Sequence, residues 1–297
     1  MKLKSPFLVK PHSKVRLADF STDAHPGCRN EKAADPIVDK HQKQLEALQE
    51  VLYASQAKAI LIVLQGMDTA GKDGTIRHIF SGVNPQGCDV ASFKVPTPLE
   101  AHHDFLWRCH AQVPPRGMIG IFNRSHYEDV LSPWVHGKMS DKTARRRMDN
   151  INGWEHMLVD QDVVIFKFFL HISHAEQTRR LQARIDIPDK RWKISPADFE
   201  ERKFWDKYVS AYEEILHRTS RKYAPWFVIP ADHKWFRNVA ISQILVAGMQ
   251  ALKLKYPEPT FDPKGIDLAK ESAAKASKQA KASTKLGTVK ADAGVRS

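Results

Sequence analysis

Apolar positions along residues 41–261 alternate between short continuous runs and helical periods. Residues 59–64 (AILIVL) form an unbroken apolar run leading into Gln65 and Gly66, the pattern of a strand buried on both faces of a parallel sheet. Similar runs, richer in β-branched and aromatic residues, predict strands over 89–95, 117–122, 163–172 and 226–229. Between them the spacing predicts helices over 72–82, 97–112, 141–159, 173–184 and 234–255. Thr97-Pro98-Leu99-Glu100 reads as an N-cap, a first-turn proline and a capping-box glutamate. Ser173 with Glu176 reads as a second capping box. Ser195-Pro196 with Asp198 opens a further helix, on which Phe204, Tyr208, Ala211, Tyr212 and Ile215 share one face. Strands alternating with helices predict an α/β fold: a five-stranded parallel sheet covered on both faces. Ligands of such sheets bind at the carboxyl ends of the strands. The informative segments are therefore 65–74, 95–97, 123–129, the chain from 173, and 231–233.

The flanks differ. Residues 1–40 show no sustained period and read as an N-terminal arm on the 41–261 domain. Residues 262–297 are Ala, Lys and Ser with few large apolar side chains, so they read as a basic, disordered tail. Disorder of the whole chain is excluded, because fourteen Phe, seven Trp and six Tyr supply a core. Cys28, Cys88 and Cys109 lack CxxC spacing, which argues against a disulfide scaffold or a zinc site and for the cytoplasm. No apolar run approaches the ~18 residues of a membrane span. The net charge is +12, and residues 264–297 carry only +5 of it. The remaining basic excess points to a polyanionic partner: nucleic acid, an acidic membrane surface or a phosphate-rich substrate.

Candidate chemistry follows the first strand. Gly66-Met67-Asp68-Thr69-Ala70-Gly71-Lys72-Asp73-Gly74 contains G-x-x-x-x-G-K, the phosphate-binding loop. Its glycines let the backbone approach closely, its N–H groups and the following helix N-terminus face phosphate oxygens, and Lys72 adds a point charge. Asp73 stands where Ser or Thr usually binds Mg²⁺. It is either catalytic or an acidic residue favoured in a first helical turn. Asp68 lies inside a loop built for anions, so it reads as a Mg²⁺ ligand or as the orienter of the attacking phosphate oxygen. Lys94, Arg124, Arg179, Arg180, Arg184, Lys190, Arg191 and Lys193 are further cations for phosphate charge. Pro188 interrupts the basic segment from Arg184 to Lys193, which reads as a lid over 184–200, or else as a solvated charged loop. Arg145, Arg146 and Arg147 line a polyanion channel or an exposed helix face. Trp107, Trp154 and Trp205 read as core, and Phe80 and Trp192 as candidate neighbours of a base.

The loop, together with G-V-N-P-Q-G-C (82–88), S-F-K-V-P-T (92–97), F-L-W-R-C-H (105–110), I-G-I-F-N-R-S-H-Y-E-D-V-L (119–131) and R-I-D-I-P-D-K-R-W-K-I-S (184–195), resembles the polyphosphate kinase 2 family over residues 40–258. The resemblance implies a P-loop kinase of thymidylate-kinase-like, three-layer architecture with a helical lid. It implies reversible phosphate transfer from inorganic polyphosphate to a nucleotide with Mg²⁺, or Mn²⁺ in its place. The family's catalytic aspartate and lysine fall on Asp68 and Lys72, and its lid on Arg184, Lys190 and Lys193. Gly66, Thr69, Ala70, Gly71, Asp73, Gly74 and Lys94 fall in its phosphate- and nucleotide-binding segments.

The family's Walker B position falls on Asn123, followed by Arg124, where many members have Asp. That departure leaves Glu128, Asp129 and water as second metal ligands. Asn123 with Glu128 resembles the branch that accepts both AMP and ADP. The resemblance further implies a homo-oligomer, dimer or tetramer, with no specific nucleic acid and no membrane as partner. An ATP-dependent nucleotide or metabolite kinase is the alternative on the same fold.

Overall fold

Strand β1 (Ala59–Gly66) has all eight residues buried and forms the middle of the sheet. The others are β2 (Cys88–Ser92), β3 (Ile119–Asn123), β4 (Val163–His171) and β5 (Trp226–Pro230), in the order β2-β3-β1-β4-β5 and all parallel. This is a computed structural model, and it describes residues 5–261 together with Lys270, Ser272, Lys275 and Lys278. The chain divides into one unit over Met1–Tyr256 and another over Pro257–Ser297. The sheet belongs to the first. The tail expected over 262–297 lies outside the described residues, save those four.

Helices group in two sets. Helix α1 (Glu31–Ser55) packs on α10 (Lys234–Gln250), which also touches β4, β5 and α2 (Lys72–Ile79). On the other side α5 (Glu128–Val135), α6 (Asp141–Asp160) and α9 (Trp205–Thr219) pack together, and α6 lies against β4. Residues two apart on β4 share the face toward this second set: Lys167 bonds to Glu155 of α6, and Phe169 meets Tyr212 of α9. Helix α10 is buried over most of its surface, and Gln243, Ala247 and Gln250 form an exposed strip along it. No helix among the described residues is long and apolar enough to cross a membrane.

The structure corrects several expected boundaries. Helix α1 starts at Glu31, inside the segment read as an arm. Asn30 accepts the Ala33 N–H, and Ala34, Val38, Leu45 and Leu52 bury one stripe. The residues before it cover the β5 edge: Val9 N–H donates to the Trp226 carbonyl and Val228 N–H to the Phe7 carbonyl, both at 2.9 Å. Strand β2 stops at Ser92, because its partner β3 ends at Asn123. Strand β3 starts two residues after Gly117, whose φ of 88° belongs to the turn before it.

The helix expected over 97–112 is two short pieces, α3 (Pro98–His102) and α4 (Trp107–His110). Asp104 between them accepts the Leu106 N–H, a local bond that competes with helix continuation. The helix expected to run on from Ser195 is likewise α8 (Pro196–Arg202) and α9, parted at Lys203 and Phe204. Ser173 caps α7 (His174–Asp186) by accepting the Glu176 N–H, but the return bond is replaced: the Ser173 N–H donates to Asp232. Pro188 opens a 3-10 turn, Pro188–Lys193, between α7 and α8.

Candidate active site

Register sets the site. Leu64 of β1 pairs with Asn123 of β3, so both strands end at one level and the Arg124 N–H reaches the Leu64 carbonyl at 3.1 Å. The loop after β1 and the segment 123–129 after β3 therefore open into the same crevice. A cavity of about 340 Å³ lies there. Gly66, Met67 and Asp68 form its floor, Arg124 and Glu128 one side, and Val95 another. Gln177, Asp198, Glu201 and Arg202 from α7 and α8, with Trp205, Tyr208 and Tyr212 of α9, close the rest.

The loop wraps around its own lysine. Gly66, Thr69 and Gly71 have φ of 155°, 69° and 102°, which turns successive peptides inward. Lys72 is buried, and its ammonium donates to the Gly66 carbonyl at 2.8 Å. Burial lowers its pKa and Arg124 adds to this, against the opposing pull of Asp68, Glu128 and Asp73. Two arginines brace the loop from behind. Arg180 donates to the Thr69 and Ala70 carbonyls, each at 2.9 Å, to the carbonyls of Ala231 and Asp232, and to Glu176. Arg237 reaches the Ala70 carbonyl at 3.5 Å and holds Asn238 Oδ1 with two nitrogens. Burial, then the neighbouring Arg180 charge, pulls the pKa of Arg237 down to about 9. The hydroxyl of Thr69 and the Oε1 of Gln177 are buried without a hydrogen-bond partner beside this loop.

Arg124 bridges the two segments: its Nη2 donates to Asp68 Oδ1 at 2.9 Å, from a backbone at φ 61°. Glu128 heads α5 next to them. Burial pushes its carboxyl pKa up, while Arg124 and Lys72 pull the other way. With its amide nitrogen turned toward Glu128, Gln65 donates to Oε1 at 3.0 Å. Two half-buried carboxylates, Asp68 and Glu128, thus face one cavity with Arg124, while the buried Lys72 is held on the Gly66 carbonyl of its floor.

Other expected residues sit elsewhere. Asn123 Nδ2 donates to Asp73 Oδ1 at 2.6 Å, so these two satisfy each other at the α2 N-terminus. Gly74 lies within α2. The Lys94 side chain is exposed, while its carbonyl accepts from Arg108 at 2.8 Å. Arg108 also grips both oxygens of Asp129, at 3.0 and 2.9 Å, which engages the carboxylate considered as a second metal ligand.

Arg184 folds back on its own segment, donating to the Lys193 carbonyl at 3.2 Å. Lys190 and Lys193 are exposed and outside the cavity wall, and Lys193 lies over the Trp192 ring. Arg180, expected among the phosphate cations, is consumed by backbone carbonyls. Arg145 pairs with Glu214, and Arg147 donates to the Asp129 carbonyl. Trp205, expected in the core, lines the cavity, and Trp107 stacks on His103 at the surface. Trp192 is 79% exposed. The aromatic wall of α9 was visible in the sequence as an apolar face, but that pattern looks the same whether the face meets a core or a cavity.

The geometry matches known proteins. The model of the polyphosphate kinase 2 family matches residues 29–257. An AMP/ADP-polyphosphate phosphotransferase of Meiothermus ruber is 47% identical over 254 residues, covering 85% of this chain and 95% of the relative. An ADP-polyphosphate phosphotransferase of Rhodopseudomonas palustris is 43% identical over 273 residues, covering 88% and 94%. A crystal structure of polyphosphate kinase 2 from Arthrobacter aurescens TC1 superimposes with a TM-score of 0.84 at 39% identity, covering 90% of this chain and 94% of that one. With its phosphate loop and parallel sheet in the same arrangement, the chain belongs to the polyphosphate kinase 2 family and is a phosphotransferase.

Proposed function

We propose that the cavity transfers the terminal phosphate of inorganic polyphosphate to AMP and to ADP, reversibly and with Mg²⁺. The observation that carries this is the meeting of Arg124, Asp68 and Glu128 around one cavity on a phosphate loop whose buried Lys72 donates to the Gly66 carbonyl of the cavity floor. The names of the Meiothermus and Rhodopseudomonas relatives supply the donor and the acceptors. An oxygen of the acceptor's terminal phosphate attacks the end phosphorus of polyphosphate, and the P–O–P bond breaks. The donor leaves one phosphate shorter, and no phosphorylated side chain intervenes.

Lys72 shifts from the Gly66 carbonyl to donor oxygens, and the unpartnered Thr69 hydroxyl donates to the same group. Arg124 spreads its charge over the transferred phosphoryl group. Asp68 and Glu128 fit Mg²⁺, a hard cation that takes one or two carboxylates and completes its shell with phosphate oxygens and water. That ion, for which Mn²⁺ substitutes, supplies charge neutralisation between donor and acceptor. Lys94, Arg184, Lys190 and Lys193 then serve donor or nucleotide only after the segment 184–200 closes as a lid. The three cysteines are free thiols, which suits a cytoplasmic site of action, and the homo-oligomeric assembly belongs to the same reading.

Product analysis tests it, with polyphosphate as sole donor and AMP or ADP offered separately. AMP should give ADP and then ATP, and Lys72→Ala should abolish both. Reaction of ADP alone would refute the dual acceptor. No product from folded protein would refute the donor and favour an ATP-dependent kinase.

A further inference from the structure

Arg237 stands near the start of α10, 167 positions along the chain from Ala70, and no sequence motif marks it. Its side chain is buried, with 2% of the residue exposed. It lies directly against the phosphate loop. A Cβ on Gly71 would stand 2.1 Å from its Nη1, and one on Gly74 would stand 3.7 Å from its Nη2. The two glycines thus leave room for a guanidinium behind the N-terminus of α2.

The hydrogen bonds of Arg237 all go to neutral groups. Nε and Nη2 donate to Asn238 Oδ1 at 3.2 and 2.9 Å, and Nη1 reaches the Ala70 carbonyl at 3.5 Å. Among the described residues no carboxylate forms an ion pair with it. Glu176 is already shared, at 2.6 Å each, by Arg179 and Arg180. Asp232 accepts from the Ser173 N–H and the Thr22 hydroxyl. Burial and the Arg180 charge lower the pKa of Arg237 to about 9, and no carboxylate pulls it back up. The group therefore stays cationic at neutral pH with no anion of the protein beside it.

A cation taken out of water without a paired anion is unfavourable. Bracing the loop does not call for one, because Arg180 bonds the same Ala70 carbonyl at 2.9 Å. What a neutral donor in this place would lack is charge, and the loop in front of the guanidinium is of the kind that takes phosphate. We infer that Arg237 is a positioning residue whose uncompensated charge, set behind Gly71, draws the donor's phosphates into the loop. The bound phosphate supplies the anion that the fold leaves out, across a protein interior that screens the attraction weakly. The inference rests on the loop as the donor-phosphate site of the proposed function, whichever donor it serves, since polyphosphate and ATP both present a chain of phosphates.

Inorganic tripolyphosphate is the probe, titrated calorimetrically into the full-length protein without nucleotide. The titration is run at about pH 6, on the acid side, because burial lowers the pKa of a lysine. Arg237→Gln and Arg237→Lys are compared with the unsubstituted protein: either side chain can donate to the Ala70 carbonyl, but only the lysine keeps the charge. The Kd should weaken about tenfold in Arg237→Gln and stay within about threefold in Arg237→Lys, the contrast expected of one unit charge acting through a few ångströms of protein. Circular dichroism and the unfolding midpoint verify the fold, and Arg237→Met replaces the glutamine variant if that one does not fold. Equal weakening in the charged and uncharged variants would assign Arg237 to bracing alone and overturn the inference, as would an unchanged Kd in Arg237→Gln. The expected pattern in a protein that transfers no phosphate to AMP or ADP would uphold Arg237 and refute the proposed transfer. No binding to the unsubstituted protein would overturn both.

Discussion

At Gly71 the backbone takes φ 102°, and a Cβ placed there would stand 2.1 Å from Arg237 Nη1. Gly74, three residues on, sits in the first turns of α2 with ordinary dihedrals, and its Cβ would meet nothing closer than 3.7 Å. Both belong to one sequence motif, yet only the first is required by its surroundings. Gly71→Ala should therefore cost about 2–3 kcal/mol, from left-handed strain and displacement of the buried Arg237, and should abolish transfer. Gly74→Ala should stabilise the protein by about 0.5–1 kcal/mol, the helix-interior value, and leave transfer largely intact. Urea denaturation of both variants checks the first halves of these statements, and turnover the second. Equal losses in both would contradict this account of Gly71. The same loop shows why Arg180 looked like a substrate cation. An arginine near a phosphate loop has the same charge whether it meets phosphate or carbonyls, and only its 7% exposure and five bonded partners assign it to the backbone.

Among the elements, the N-terminal segment is the one whose role was least visible. Phe7, Leu8 and Val9 are isolated apolar residues with no period, because they pair with a strand and not with one another. Their bonds to Trp226 and Val228 cover the outer edge of β5, and Ser220 adds a bond to the Val9 carbonyl at 2.8 Å. An open β5 would present unpaired N–H and C=O groups to other chains. Removal of residues 1–10 should cost about 2–3 kcal/mol, from two main-chain hydrogen bonds and the buried Val9 side chain, and should induce concentration-dependent association. Thermal unfolding and light scattering read the two effects. An unchanged midpoint with a monodisperse sample would show that the edge needs no cover. Helices α3, α4, α8 and α9 teach a related lesson. The cap at Ser195 was readable as a residue type, but where each helix broke depended on the surfaces it turned between.

For the whole molecule, the net charge of +12 bears on how a polyanion is gathered. The cavity itself is mixed in charge, with Asp68, Glu128, Asp198 and Glu201 against Arg124 and Arg202. Long-range attraction therefore comes from the basic surface more than from the cavity, and surface charges are screened over about 8 Å at physiological salt. The KM for long-chain polyphosphate should rise about tenfold between ~50 and ~300 mM salt, while the KM for AMP or ADP moves by about threefold or less. Initial rates across a salt series check this. Parallel shifts for donor and acceptor would place the recognition of polyphosphate inside the cavity and not on the surface around it.

By itself the sequence determined the alternation of five strands with helices, the phosphate loop, and the family. Each is written in neighbouring residues: a buried strand needs a run such as AILIVL, and a loop that cradles phosphate needs its glycines and lysine a fixed number of positions apart. Only the tertiary structure decided which charges meet. Asp73 turned to Asn123, Asp129 to Arg108, and Asp68 to Arg124, because strand register and helix packing bring together residues 21 to 56 positions apart. A carboxylate in a sequence carries no record of its partner. Whether it is free for a metal or already satisfied is settled by distances of a few ångströms, and those exist only after the chain has folded.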